Sequence, residues 1–458
     1  MSMNPEFQRN LWLEASPRRM AWAGVTLALI YGAAALTTQD LPGAAARTLG
    51  GVGAAVFVIC GMVWGSRAAA GSVLGEIADR TWDFQRLSAL TPWSMTWGKL
   101  FGAASLAWLC ALSGLAFLLL AGLSHGLAGE GLAGAVFMLA AAVLLQAVSM
   151  GSALVGVRKA RAEGRVARAG GVLGGLIAAV ILLSAVASSE GFQHGLGVNT
   201  LANVWTAHGF VDWWWGAFPA AAFRAAAFAA FAAWALAGVW RLMRLELQMQ
   251  NTPVVWPAFL IYLALFTAGF AVGSGGLAGG FLVAALVIAL SAYAAAFAEP
   301  ADRIRLRQFA QAAAKGAWSR AAPRTPAALF PAVLAALLVV FAFVFARGQT
   351  LTGEGPNLWQ AAALIAFMTR DLGVIALFRF GPRPQRGDFG AVVALALLYF
   401  VGAIIGRGVG GAVGASLFAP LPDAPAASLV SGAVQAAVAW WLAVRRIKAP
   451  EASAAASA

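Results

Sequence analysis

Apolar runs of roughly 17 to 25 residues recur along the whole chain, and each, as a helix, is long enough to cross about 30 Å of hydrocarbon. That recurrence leaves few outcomes open. Lipid offers no partner to a backbone N–H or C=O, so a spanning segment must satisfy its own hydrogen bonds, and a continuous apolar run of this length does so as an α-helix. Composition agrees: 61% hydrophobic residues, 11% charged residues and a mean hydropathy of +0.79 exclude an ordinary soluble globular chain. The predicted fold class is all-α, a polytopic integral membrane protein.

The runs place spans near 21–38, 49–68, 99–123, 131–156, 169–189 and 218–240, then near 254–273, 278–298, 327–346, 357–378, 390–406 and 427–444. This predicts about twelve transmembrane helices in two six-helix halves, residues 1–250 and 251–458, with both termini cytoplasmic. The formal charge of +13 follows the same plan. Nearly all of the 31 Lys and Arg fall in alternate loops or in the termini, while the opposite loops hold Arg47, Arg347 and Arg407, and Arg224 lies near the outer end of a span. The positive-inside rule puts the basic loops in the cytoplasm, so the chain is expected in the cytoplasmic (inner) membrane. The basic balance reports topology and not a nucleic-acid partner. Polar MSMNPEFQRN precedes the first span, which predicts no cleavable signal. Residues 1–20 predict an interfacial helix with Phe7, Leu11 and Ala15 on one face and Trp12 at headgroup depth.

One loop is richer than a turn requires. Between Glu76 and Lys99 the chain carries three acids (Glu76, Asp79, Asp83), three bases (Arg80, Arg86, Lys99) and the aromatic residues Trp82, Phe84 and Trp93. Trp82 or Phe84 recurs with Leu87 and Leu90 at helical spacing, and Pro92 is expected to end that helix. The result is a short amphipathic helix on the water side, with Trp82 and Phe84 exposed to press against a partner.

This stretch resembles the loop between the second and third spans of type-2 ABC exporter permeases. The residues carrying the resemblance are Glu76, Arg80, Thr81, Trp82, Asp83, Leu87, Leu90, Thr91, Pro92, Gly98 and Lys99. The resemblance covers the first half of the chain, and implies that the loop is a coupling helix docking on a separate ATP-binding cassette subunit. It also implies an elbow helix before the first span and short re-entrant helices in the outer region before the sixth. A weak internal repeat is in keeping with two halves: Ala-Asp-Arg occurs at 78–80 and again at 301–303, each after a span. The second loop, Glu299 to Pro326, lacks the Thr-Trp-Asp and Gly-Lys elements and is more basic.

Chemistry is sparse elsewhere. No Gly-x-x-x-x-Gly-Lys-Ser/Thr is present, so ATP hydrolysis is expected in a partner chain, with no catalytic residue, cofactor or metal site in this one. His125, His194 and His208 fall in predicted outer loops without a neighbouring Cys or acid at ligand spacing, and Cys60 and Cys110 both lie in apolar runs. The segment from Glu190 to Pro219, with Trp205 and Trp213 to Trp215, either closes the outer end of a pathway or anchors the chain at the interface. Gly170, Gly171, Gly174 and Gly175, and Gly406, Gly410 and Gly414, follow small-xxx-small spacing and predict close helix packing. Charges inside lipid are functional candidates by default, and Arg224, Arg370 and Asp371 qualify. Arg370 and Asp371 alternatively mark the cytoplasmic end of a short tenth span, followed by an interfacial helix from Leu372 to Phe380. Arg224 is close enough to the outer interface to snorkel.

The function predicted is the permease subunit of an ATP-driven exporter of an amphipathic or lipid-like substrate, working in the bilayer as a single chain or a homodimer. The alternative is a twelve-helix secondary carrier of the major facilitator type. Gly75-Glu-Ile-Ala-Asp79-Arg80 approximates that family's loop motif, but Trp82 stands where the motif has Gly, and the linker Arg241 to Pro253 is short.

Overall fold

A computed structural model describes residues 4–37, 44–86, 90–124, 128–162, 209–249, 253–346, 358–381, 386–421 and 424–448. Among the described residues ten helices are long and apolar enough to cross a membrane, or eleven if one bent pair counts as a span. The chain is an all-α, multi-pass membrane protein. The elements, in order, are α1 (Pro5–Glu14), α2 (Pro17–Leu36), α3 (Ala45–Ala78), α4 (Trp82–Arg86), α5 (Pro92–Trp97), α6 (Ser105–Ser124), α7 (Ala128–Ala162) and α8 (Ala220–Glu246). They continue with α9 (Val255–Gly273), α10 (Gly275–Ala298), α11 (Arg303–Ala314), α12 (Trp318–Arg324), α13 (Leu329–Phe345), α14 (Leu358–Arg379), α15 (Gly387–Ser416) and α16 (Pro425–Lys448). The predicted fifth span, 169–189, lies outside the described residues, as do Gly170 to Gly175, Trp205 and the three histidines.

Exposed Leu29, Val63, Leu120, Ile261, Val340 and Val434 face outward from their helices, as lipid rather than water permits. Four of the five buried clusters among the described residues lie on one side or the other of residue 250, and the fifth joins Val211 and Ala220 to Phe270 across it. Phe57, Ala111, Leu115, Met138 and Ala142 form one apolar cluster, and Val73, Trp82, Met95, Met150, Leu154 and Met243 another. Two more clusters, around Leu260, Leu282, Ile288 and Leu338 and around Phe297, Ile375, Leu395 and Ala439, draw all their buried residues from beyond that point. Within the earlier part α3 packs along α6, and α7 along α8; within the later part the α9–α10 unit packs on α13, and α14 along α16.

Several boundaries differ from expectation for identifiable reasons. At 34 and 35 residues, α3 and α7 run about 50 Å, well past the hydrocarbon, so the charged ends at Glu76 and at Lys159 and Arg161 stand clear of it. α9 and α10 turn back on each other at Gly276, whose φ of 60° is open to glycine without strain. α15 does not stop at residue 406. It reverses at Gly410–Gly411, and Gly406 then meets the returning Gly414 so closely that a Cβ on Gly406 would sit 2.2 Å from the Gly414 carbonyl oxygen. The glycine spacing there serves contact within one broken helix rather than between two. Residues 210–219, expected in an outer loop, form a β-hairpin, β1 (Phe210–Trp213) against β2 (Gly216–Pro219). The Trp213 indole donates to the Phe266 carbonyl (3.0 Å) and Trp214 N–H to that of Gly269 (2.7 Å), which ties the hairpin to α9.

Candidate functional site

The stretch from Glu76 to Lys99 is built as two short helices held against α1. α3 closes on a left-handed residue: Arg80 has φ of 57°, its N–H donates to the Ile77 carbonyl (3.2 Å), and the Thr81 N–H donates to that of Glu76 (2.9 Å). This is the paired closure that satisfies the last carbonyls of a helix, with Arg80 where glycine is usual. α4 follows at once. Pro92 opens α5 rather than ending α4, because proline's fixed φ suits a first helical turn whose N–H has no partner anyway. Thr91 caps that turn, its hydroxyl accepting from Ser94 N–H (3.1 Å).

Trp82 corrects the expectation most sharply. It is 2% exposed and packs among Val73, Met95, Met150, Leu154 and Met243, with the Lys99 ammonium 5.3 Å from its ring. It anchors α4 within the bundle rather than facing outward. Phe84, at 78% exposure, does face outward, as does Trp93. Leu90 is half-buried against the Trp82 cluster, while Leu87 and the Asp83 side chain lie outside the described residues.

Glu76 and Lys99 meet a residue from the far end of the sequence. The fully buried Lys99 Nζ lies 3.0 Å from Glu6 Oε1 and also pairs with Glu76. Arg9 adds contacts to Glu76 (3.1 Å) and Glu6 (3.3 Å), and the Gln85 amide donates to Glu76 (2.6 Å). Burial pushes the Glu6 carboxyl up, but the Lys99 charge and hydrogen bond, with Arg9 and Asn10, pull it further down, so it ends below its ordinary value. Gly98 and Gly102 admit α1 at this point: a Cβ on either would meet Glu6 or Asn10 side-chain atoms at 2.7 and 2.9 Å. The buried face of α1 is therefore Glu6 and Asn10, not the Phe7, Leu11 and Ala15 stripe, and Trp12 and Leu13 are exposed. Asn4 and Ser94 complete the seam with two 2.8 Å hydrogen bonds.

A second charged centre lies inside the later part. α14 runs unbroken through Arg370 and Asp371, so neither marks a helix end, and both are buried to 1% exposure. Although adjacent in sequence they pair, Arg370 Nε donating to Asp371 Oδ1 at 2.8 Å. The other carboxylate oxygen accepts from the hydroxyls of Tyr293 on α10 and Tyr399 on α15, each at 2.7 Å. Arg370 Nη1 reaches the Phe418 carbonyl (3.2 Å) and Gln435 on α16 (3.1 Å). Two of the chain's four tyrosines converge here; the charges Arg370 and Asp371 within an apolar run were the sequence signal of the centre, and its tyrosine partners left none. Arg224 is half-buried in the second turn of α8, outside both constellations.

The basic helix ends form a third network. Lys159, at the end of α7, donates to the Phe297 carbonyl at the end of α10 (2.9 Å) and pairs with Asp388 at the start of α15. Asp388 also pairs with Arg379 of α14 (3.1 Å), and Arg161 with Glu246 of α8 (2.8 Å). These ends share one side of the bundle, where cations sit against helix C-terminal carbonyls.

These arrangements define a polytopic α-helical membrane protein with one end rich in fixed charge and one charged centre within its helices. Compared with protein-family models, curated proteins and solved structures, the chain matches none.

Proposed function

We propose that this chain is the membrane subunit of an ATP-driven exporter, twelve spans in two six-helix halves with both termini in the cytoplasm of the inner-membrane face. Its ATP-binding cassette subunit is a separate chain that docks on the segment from α4 to α5. The observation carrying this reading is the coupling of exposed Phe84 to a rigid base. α4 is pinned by Trp82 to α3, α7 and α8, and α3 is pinned by Glu76, Lys99 and Glu6 to α1 and to the π-helical turn Gly98–Gly102 that leads into α6. A push on Phe84 therefore moves helices and not a loose loop. The packing of the fourth span on the sixth in both halves, α7 on α8 and α14 on α16, supports a duplicated bundle around a pathway. An amphipathic or lipid-like cargo suits its Ala-, Leu- and aromatic-rich walls. The test is affinity purification from native membranes: a P-loop ATPase should accompany the wild-type chain and be lost from Phe84→Asp with membrane insertion intact. Retention of the ATPase by that variant would remove the docking role.

One observation favours a second reading, the ion-gradient carrier: the buried Asp371, an acid within a span of the kind such carriers use. Accumulation in vesicles driven by a proton or sodium gradient without nucleotide would select it.

A further inference from the structure

The two equivalent basic-side loops have opposite electrostatic characters. From Glu76 to Lys99 the three acids and three bases cancel. From Glu299 to Pro326, Arg303, Arg305, Arg307, Lys315, Arg320 and Arg324 face only Glu299 and Asp302. Arg305 pairs with Glu299, and Asp302 is the N-cap of α11, accepting from the Arg305 N–H (2.9 Å). Arg303 and Arg324 meet neutral groups, and Lys315 and Arg320 are exposed. Arg303 donates to the Phe380 carbonyl (2.6 Å), Arg307 to that of Ile447 (2.7 Å), and Arg324 to the Arg320 carbonyl (2.6 Å) and Gln308 (3.0 Å). A carbonyl orients a guanidinium without neutralising it. The Arg307 contact joins this loop to the end of α16, where Arg445, Arg446 and Lys448 have no acid on their helix.

The end of this segment turns across the span that follows it. α12 is bent 102° from α13, so with α13 upright in the bilayer α12 runs in the plane of its surface. α11 has no buried residue, and the exposed apolar side chains of the segment are Ile304 (66%) and Trp318 (68%). Uncancelled cations beside an exposed tryptophan on a surface-parallel helix match an interface with acidic headgroups above acyl chains.

We infer that α11 and α12 form a binding surface for anionic phospholipid headgroups, so that the later half is clamped to its own leaflet while the earlier half offers a neutral, aromatic surface to protein. The surface does not depend on the ATPase reading, and its test contains no ATPase. Purified full-length protein in mixed micelles is titrated with dibrominated phosphatidylglycerol or dibrominated phosphatidylcholine. Quenching of Trp318 is read as the difference between wild type and W318F, since the chain holds 18 tryptophans. Half-quenching is expected at an about tenfold lower mole fraction of the glycerol lipid, a preference that salt erodes and that K315Q/R320Q/R324Q removes. Equal quenching by the two lipids in wild type overturns the inference, as does a preference that survives the triple substitution.

Discussion

Lys99→Met tests whether the seam between α1, α3 and α6 bears energy. Lys99 is fully buried and serves two carboxylates, Glu6 at 3% exposure and Glu76 at 9%. Methionine keeps the length and flexibility of the side chain, so the substitution removes charge with little change in packing. Removing one partner from a buried ion pair costs about 3–5 kcal/mol, because the other charge stays buried. Arg9 remains near both acids, at 3.3 and 3.1 Å, but its side chain is 44% exposed and screened, so the loss belongs near 3 kcal/mol. For a cooperative unit the size of the earlier half, that lowers the melting temperature by about 6–12 °C. The assay is thermal unfolding of the detergent-solubilised protein by thiol-reactive dye or by loss of the monodisperse peak. K99M/E76Q should recover more than half of the loss, since one stranded charge is gone. A shift below about 2 °C for K99M would refute the energetic argument. Acid provides an independent check. The Glu6 carboxyl is held below its ordinary value of 4.5, so its contribution is complete above that pH and is lost as pH falls through the lower folded value. K99M removes the main cationic pull while burial remains, so its acid-induced loss should begin at higher pH than in wild type.

The remaining predictions follow from burial and pairing. Trp82→Asp should destabilise by at least 3 kcal/mol or prevent folding, whereas Phe84→Asp should stay within about 0.5 kcal/mol of wild type, read in the same thermal assay. Lys159→Asp and Asp388→Lys should each lower stability in that assay, and the double exchange should restore part of the loss; additive losses would show that the contact between α7 and α15 is energetically silent. Asp371→Asn leaves Arg370 buried without its counter-charge and should cost about 3–5 kcal/mol, with R370M/D371N less damaging than D371N alone.

Helix positions were legible from the chain because spanning length is a one-dimensional property. The expected spans 254–273, 278–298 and 327–346 lie within a few residues of Val255–Gly273, Gly275–Ala298 and Leu329–Phe345, since apolar run length and the cost of unpaired backbone in lipid act locally. The Glu76–Lys99 segment was legible as a polar, structured insert for the same reason. Which of its aromatics face outward was not. Trp82 and Phe84 stand two positions apart, about 200° around a helix, and either one continues the Leu87–Leu90 spacing, so the pattern does not choose between them. Packing alone turned Trp82 inward and left Phe84 out, and brought Glu6 to Lys99 across 93 residues of sequence. The same holds for Arg370 and Asp371: a helix end and a buried centre look alike until three further helices supply Tyr293, Tyr399 and Gln435. Span lengths were written in the sequence; the partners of its few buried charges were set only by the tertiary fold, because pairing depends on rotation and depth that no local property encodes.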